Sequence, residues 1–575
     1  MCKFIFLVVS KEHAGSCADD DHIVFRNIRS ARLTWTKSNR TIPSIRSSGI
    51  YTLNGALESH PDECIITLRL FAKREDPIAT IVHQRPFHRN VQSSNVFAAA
   101  RSLIKKCMDP KSPHKHCQYS RDTVLPLRVL DVGTPKDLQR TVKLRINETE
   151  IHAPYLALSY CWGKQPQPAA PNQPLQLRRD NLQDLVNGIK LENLQQSIQD
   201  AIFATRKLGF CYLWVDALCI IQDCKIDKDR EISRMASIYK NATVTIAASS
   251  SANAADGFLS KKIQPYCPNY EVHVPMPDGR KGTVYLSAEA YEPEHPLDKR
   301  GWTLQEFMLS SRMLIFSDYE LLWQCKEVDL QSVSERGLEY LQPLETLPWA
   351  VFDDNTEPYF GNLGADKVYL WKTIVRQYTE RKLTDSGDRL RAITGITCEL
   401  ETLWHDVNIY GLWKKWFIEL LAWYKPNIER ERKRYLVRAP SWSWASLNGV
   451  IYYEAPISSE DAKVRSLTIS TIELTGRILQ EGDIDDKMRP TISERPDLID
   501  PIDELQQSGL QDQQMEYLLL GTVQTDAGRE RGIGLLVVDV GRRVYRRIGL
   551  AIFRDMTIWE SMERQAIELE AKLLK

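Results

Sequence analysis

Three short runs built almost wholly of apolar residues, Tyr155–Tyr160, Phe210–Val215 and Ala242–Ala248, are separated by two segments of helical period. Apolar runs of this length are the mark of strands buried on both faces. In the first intervening segment Ile198, Ala201, Ile202 and Thr205 share one helical face, and Gly209 supplies the stop. Ser197 reads as the helix cap, with Asp200 as its capping-box partner. In the second, Asp227–Tyr239, the face is Ile232, Met235, Ala236 and Tyr239. Strand, helix, strand, helix, strand is the order of a parallel sheet with crossover helices. The expected fold class is therefore α/β with a Rossmann-like core over residues 121–310, preceded by strands at Val124–Val132 and Val142–Ile146.

A chain of 575 residues exceeds one domain of this kind. Residues 1–120 read as a variable N-terminal region, with a strand at Ile66–Phe71 and a helix at Asn90–Lys105. The apolar start, Met1–Ser10, reads as a first strand rather than a signal peptide. Residues 311–460 are expected to be mostly helical, with helices at Tyr369–Tyr378, Leu400–Trp404 and Leu412–Trp423. Residues 461–575 read as a mixed α+β C-terminal region rich in strands: Ser466–Leu474, Tyr517–Val523, Gly534–Val540 and Val544–Phe553. A polar, mobile insertion is expected at 476–516 and a surface helix at Glu563–Leu574. Lys plus Arg equals Asp plus Glu at 75 each, so no charge excess points to nucleic acid as a partner. No run of 18 apolar residues predicts a membrane span. The 12 cysteines are scattered in a long chain, which points to free thiols and a cytoplasmic location.

Ligands of open parallel sheets bind beyond the carboxyl ends of the strands. Ser159, Asp216 and Ser249 follow the three apolar runs and would gather on one rim if those strands are neighbours. Asp216 is the most pointed of the three, because a lone carboxylate is expensive to bury. The competing reading is that it caps the next turn or pairs with Arg300. Arg300, Trp302 and Glu306 form a second cluster, with Gln305 and Glu306 expected to face one mouth of a helix. There Glu306 could act as acid, base or ribose ligand, and Arg300 could hold a phosphate, unless the two pair internally. Trp162 and Trp302 could stack on a base, although Trp162 with Gly163 also reads as a tight turn over a core. Cys107, His114, His116 and Cys117 form a candidate metal set. Their spacing is irregular, so a polar loop is the preferred reading and no metal is expected. Cys161 and Cys219 lack a histidine fixed near them and read as packing, not as nucleophiles. The glycine-rich dinucleotide and phosphate-loop motifs, His-Glu-x-x-His and Gly-x-Ser-x-Gly are all missing from the sequence.

The same residues resemble the fungal heterokaryon incompatibility (HET) domain. Tyr155-Leu-Ala-Leu-Ser-Tyr-Cys-Trp-Gly163 is the first block. The second comprises Ile198-Gln-Asp-Ala-Ile202, Tyr212-Leu-Trp-Val-Asp-Ala-Leu-Cys-Ile-Ile-Gln-Asp223 and Met235-Ala-Ser-Ile-Tyr-Lys-Asn-Ala-Thr-Val-Thr-Ile-Ala247. Arg300-Gly-Trp-Thr-Leu-Gln-Glu306 is the third. Val129-Leu-Asp131, Leu383-Thr, Asp388-Arg-Leu390, Pro440-Ser-Trp-Ser-Trp-Ala445 and Tyr545-Arg-Arg-Ile-Gly549 resemble flanking regions of such proteins. The resemblance implies a role in fungal non-self recognition, with the HET domain triggering programmed cell death. The family has been likened to TIR domains, some of which hydrolyse NAD with an essential glutamate. That likeness implies a TIR-like core and gives Glu306, with Asp216, a catalytic role on NAD as substrate, with no cofactor required. The other implied reading is a non-enzymatic module that acts through homo-oligomer assembly or a protein partner.

Overall fold

A computed structural model describes residues 28–36, 50–57, 65–73, 75–80, 91–114, 117, 123–134, 140–163, 174–260, 270–276, 279–288, 295–318, 320–333, 367–426, 434–468, 472–498, 514–524 and 528–570. The start at Met1–Ser10 lies outside them. Two compact units divide the chain: Met1–Ile232 with Asn241–Leu297 and Ser310–Gln342, and Ser233–Lys240 with Asp298–Leu309 and Pro343–Lys575.

The first unit contains a nine-stranded sheet. Its strands are β1 (Arg128–Asp131), β2 (Thr141–Ile146), β3 (Leu156–Ser159), β4 (Ile189–Lys190), β5 (Tyr212–Trp214), β6 (Val244–Ala247), β7 (Arg312–Phe316), β8 (Leu321–Cys325) and β9 (Val328–Ser332). The order across the sheet is β9-β8-β7-β6-β3-β5-β1-β2-β4. The four central strands, β7, β6, β3 and β5, are parallel. β1, β2 and β4 flank them antiparallel on one side, and β8 and β9 on the other. All four residues of β3 and of β6 are buried, as the apolar runs required. The architecture is a mixed α/β one, consistent with a Rossmann-like or TIR-like core. Residues 311–332, expected to lie outside the α/β domain, instead supply β7–β9.

Helix α1 (Ser94–Met108) precedes the sheet, capped by the Ser93 hydroxyl, which accepts from the Val96 N–H. The crossover helix α2 spans Gln196–Leu208 and buries Ile198, Ala201, Ile202 and Thr205. It ends at Gly209 in the left-handed region (φ +93°). The cap assignment is corrected: Gln195 is the cap residue without a side-chain bond, and Asp200 is used elsewhere. The short α3 (Asp216–Cys219) and the longer α4 (Lys225–Asn241) return the chain from β5 to β6. A separate five-stranded sheet takes Ile28–Thr36, Ile50–Leu57 and Ile65–Phe71, with Tyr270–Pro275 and Lys281–Ala288 as its remaining strands.

The second unit holds α5 (Gly301–Leu309), helices at Lys367–Thr379 and Thr394–Trp404, and an eight-stranded sheet. Leu412–Trp423, expected as one helix, is a two-residue strand, a single 3-10 turn and a four-residue helix leading into the Trp423–Tyr424 strand. Most of its residues are buried, so its apolar pattern carried no helical face. Glu563–Leu574 is corrected too: Arg564–Leu569 is a strand paired with Ile472–Gln480, burying Ile567 and Leu569 in alternation. Cross-strand pairing there overrides the helix preference of Glu, Ala and Leu. The insertion at 476–516 is largely structured at its near end. Ile472–Gln480 runs into it, and Ile492–Pro496 pairs with Val544–Phe553. Trp442 and Trp444 are buried in the core, as expected of packing residues. Trp371 and Trp444 both donate through Nε1 to the Gly411 carbonyl at 3.0 Å, a close approach made at φ +88°.

Candidate functional site

The chain leaves β3, crosses by α2 to β5 on one side, then returns past β3 to β6 on the other. The strand order therefore reverses at β3, and a crevice of such a sheet opens between the carboxyl ends of β3 and β6. β6, β3 and β5 are neighbours, so Ser159, Asp216 and Ser249 do lie at one end of the sheet. Ser159 and Ser249 are both buried, and the Ala248 N–H donates to the Ser159 carbonyl at 2.9 Å.

Asp216 is half-buried, opens α3 and holds its carboxylate in two hydrogen bonds. The Ala217 N–H donates to Oδ1 at 2.7 Å, a bond within one step of the chain; the residue at the cap position is Val215, so Asp216 does not cap the following turn. The Trp162 indole donates to Oδ2 at 2.9 Å, tying the loop after β3 to the one after β5. Trp162 thus meets the rim through its polar edge. Gly163 sits at φ +85°, and a Cβ placed there would lie 2.4 Å from the Asn253 Cβ. The loops after β3 and β6 are therefore in backbone-level contact.

Asp200 shapes the third side. Its Oδ2 accepts from the N–H groups of Phe258 and Leu259 at 2.7 and 2.9 Å, and Gln196 donates to Oδ1 at 2.8 Å. Gly257 turns at φ +69° over this carboxylate, where a Cβ would stand 2.7 Å from it. A helix side chain read as a local cap instead fixes a loop 58 residues away.

Beneath the rim, Arg128 of β1 is buried against Asp227 of α4 at 2.5 Å and donates to the Cys219 carbonyl at 2.7 Å. Asp227 also accepts from the Ile221 N–H at 2.9 Å. Burial pushes its carboxyl up, but the Arg128 hydrogen bond, the Ile221 N–H and the charges of Arg128 and Arg230 outweigh it and hold the pKa below the usual range. A depressed folded-state value contributes stability above the unfolded carboxyl range of about pH 4, and the contribution is lost as pH falls through the folded value. We expect Asp227→Asn to lower stability at neutral pH and to flatten the acid limb of a denaturation–pH profile. An unchanged acid limb would refute this role.

The second cluster belongs to the second unit. α5 carries Trp302 against the apolar core of that unit, so it packs there. Gln305 is buried and accepts from the Gly395 N–H at 2.7 Å, which corrects the expectation that it faces a mouth. Arg300 runs beside Lys382 in a parallel bridge, and the Gly301 N–H donates to the Lys382 carbonyl at 2.8 Å. Glu306 is 7% exposed and lies in the field of Arg381. Arg381 donates to the Thr303 hydroxyl at 3.0 Å. Burial pulls Arg381 below the usual guanidinium range, opposed by the carboxylates of Asp298 and Glu306. Sequence reasoning missed Arg381, although it stands two residues before the flanking Leu383-Thr piece.

Cys219 is fully buried, and that burial pushes its thiol up to about 12, which leaves it un-ionised and unsuited to attack. Cys161 is buried as well. Of the candidate metal set, Cys107, His114 and Cys117 converge and are joined by Cys325; His116 lies outside the described residues. Among the described residues no helix is long and apolar enough to cross a membrane.

Neither a curated protein nor a solved structure matches the chain. One family model does, that of the heterokaryon incompatibility protein (HET), over residues 155–306. That span runs from the residue before β3 to Glu306, the limits set by the first and third sequence blocks. A heterokaryon incompatibility (HET) domain match thus covers residues 155–306 of this chain.

Proposed function

We propose that the protein acts in fungal heterokaryon incompatibility as a non-self recognition factor, and that its HET domain starts the programmed cell death of incompatible fusions. In this reading the domain is a TIR-like nucleotide site. The observation that carries it is the half-buried Asp216 carboxylate at the carboxyl end of β5, held by Ala217 and by Trp162 of the loop after β3, the strand at which the order reverses. A carboxylate so placed accepts hydrogen bonds from a ribose and stabilises positive charge that develops at a glycosidic carbon. NAD is the substrate of choice, cleaved at its N-glycosidic bond, with Glu306 as the second acidic group. A measurement of NAD turnover by the full-length chain tests this. Asp216→Asn and Glu306→Gln, each checked for folding, are expected to lower turnover by about 100- to 10,000-fold. Turnover unchanged in both folded variants removes them from catalysis.

The burial of Glu306 beside Arg381 favours a second reading, in which α5 is structural and the HET domain signals by homo-oligomer assembly or by binding a protein partner. Wild-type chain that consumes no NAD in its oligomeric form, yet kills when expressed in a fungal host, supports that reading over the first.

A further inference from the structure

Outside the HET span, four side chains from distant parts of the chain meet. Cys107 lies in the last turn of α1, His114 and Cys117 in the loop that follows it, and Cys325 ends β8. Their ligand atoms, three Sγ and one imidazole nitrogen, all lie within 4.8 Å of one another. Cys325 Sγ is 3.5 Å from His114 Nδ1. Tetrahedral zinc with Zn–S bonds of about 2.3 Å sets its ligand atoms about 3.8 Å apart, so one ion fits all four. The three cysteines are buried and none forms a disulfide. The Cys117 N–H donates to the His114 carbonyl at 3.3 Å, which holds these two residues close together.

The surroundings match the charge such an ion would leave. Three thiolates, a neutral imidazole and a dication sum to one negative charge. Arg312 of β7, itself 1% exposed, donates through Nε to Cys107 Sγ at 3.2 Å, through Nη1 to the Thr243 carbonyl at 3.3 Å and through Nη2 to the Cys117 carbonyl. It supplies the compensating positive charge and the second-shell donor that orients a thiolate. Soft sulfur ligands with one nitrogen select zinc over magnesium or calcium, and four protein ligands make a closed, structural site rather than a catalytic one.

We propose that Cys107, His114, Cys117 and Cys325 bind one structural zinc ion, which staples α1 and the loop after it to β8. Metal analysis of full-length protein, purified under reducing conditions without chelator from zinc-supplied cells, is expected to find about one zinc per chain. Cobalt exchanged into the site is expected to show thiolate-to-cobalt charge transfer and a tetrahedral ligand-field spectrum. Cys325→Ser and His114→Ala are expected to reduce bound zinc at least about tenfold, and Arg312→Met to weaken zinc binding by about 10- to 100-fold, while Cys224→Ser keeps it. Should the ligand variants fail to fold, the wild-type stoichiometry and cobalt spectrum decide alone. Wild-type protein with less than about a tenth of an equivalent of zinc, iron in its place, a Cys107–Cys117 disulfide, or full zinc in a folded Cys325→Ser would overturn the proposal.

Discussion

Replacing Asp497 by alanine is expected to lower the stability of the second unit by about 3–5 kcal/mol, the largest single loss we anticipate in this chain. Asp497 is 1% exposed and pairs with two buried arginines. Arg434 donates to it at 2.8 Å, and Arg547 donates at 3.1 and 3.2 Å through Nε and Nη2. The remaining donors of Arg547 reach the carbonyls of Leu421 and Trp423, and its guanidinium lies 3.4 Å from the Trp423 ring centroid. Deleting the carboxylate removes the anion that the two buried arginines share. Burial pushes the Asp497 carboxyl up, yet the charges and hydrogen bonds of Arg547 and Arg434 prevail and hold it low. Its contribution is therefore complete above about pH 4 and lost as pH falls through the lower folded value. Denaturant unfolding followed by tryptophan emission checks both points. A loss below about 1 kcal/mol would show that water or a rearranged neighbour replaces the carboxylate.

Gly163→Ala is the second large effect. Two costs add: the left-handed backbone of a non-glycine residue, about 1–2 kcal/mol, and overpacking against Asn253, about 1–3 kcal/mol. Pairing the change with Asn253→Gly separates them, because the double variant relieves the clash and keeps the backbone penalty. Full additivity of the two single changes would mean that the loops after β3 and β6 do not press on each other.

The parallel core was legible because its evidence is local. Apolar runs, helical faces and Gly209 sit within a few residues of what they dictate. The carboxyl-end rim followed from the same pattern, since neighbouring parallel strands bring Ser159, Asp216 and Ser249 to one edge whatever their side chains do. Partners far apart in the chain were not legible. Asp200 satisfies loop N–H groups at 258 and 259, and Cys325 completes a set that begins at Cys107. The irregular Cys/His spacing argued against metal only while the fourth ligand was sought nearby. The C-terminal errors share one cause. Arg564–Leu569 and the polar stretch around Asp497 follow strands and ion pairs supplied by remote residues, against their own propensity and polarity. Tyr545-Arg-Arg-Ile-Gly549 and Pro440-Ser-Trp-Ser-Trp-Ala445 were noticed by resemblance alone. The Arg547 N–H donates to the Ser441 hydroxyl at 3.2 Å, so the two pieces meet at the ionic centre.

The third HET block sits on a helix whose apolar residues Leu304 and Met308 pack with Trp371, Ile393 and Ile396. Family kinship and cooperative folding thus draw their borders in different places on this chain. A gene fragment trimmed to the kinship border would keep Glu306 and discard the residues that shelter it. An inert product of such trimming would be evidence about where the polypeptide was cut, and silent about what the HET domain can do.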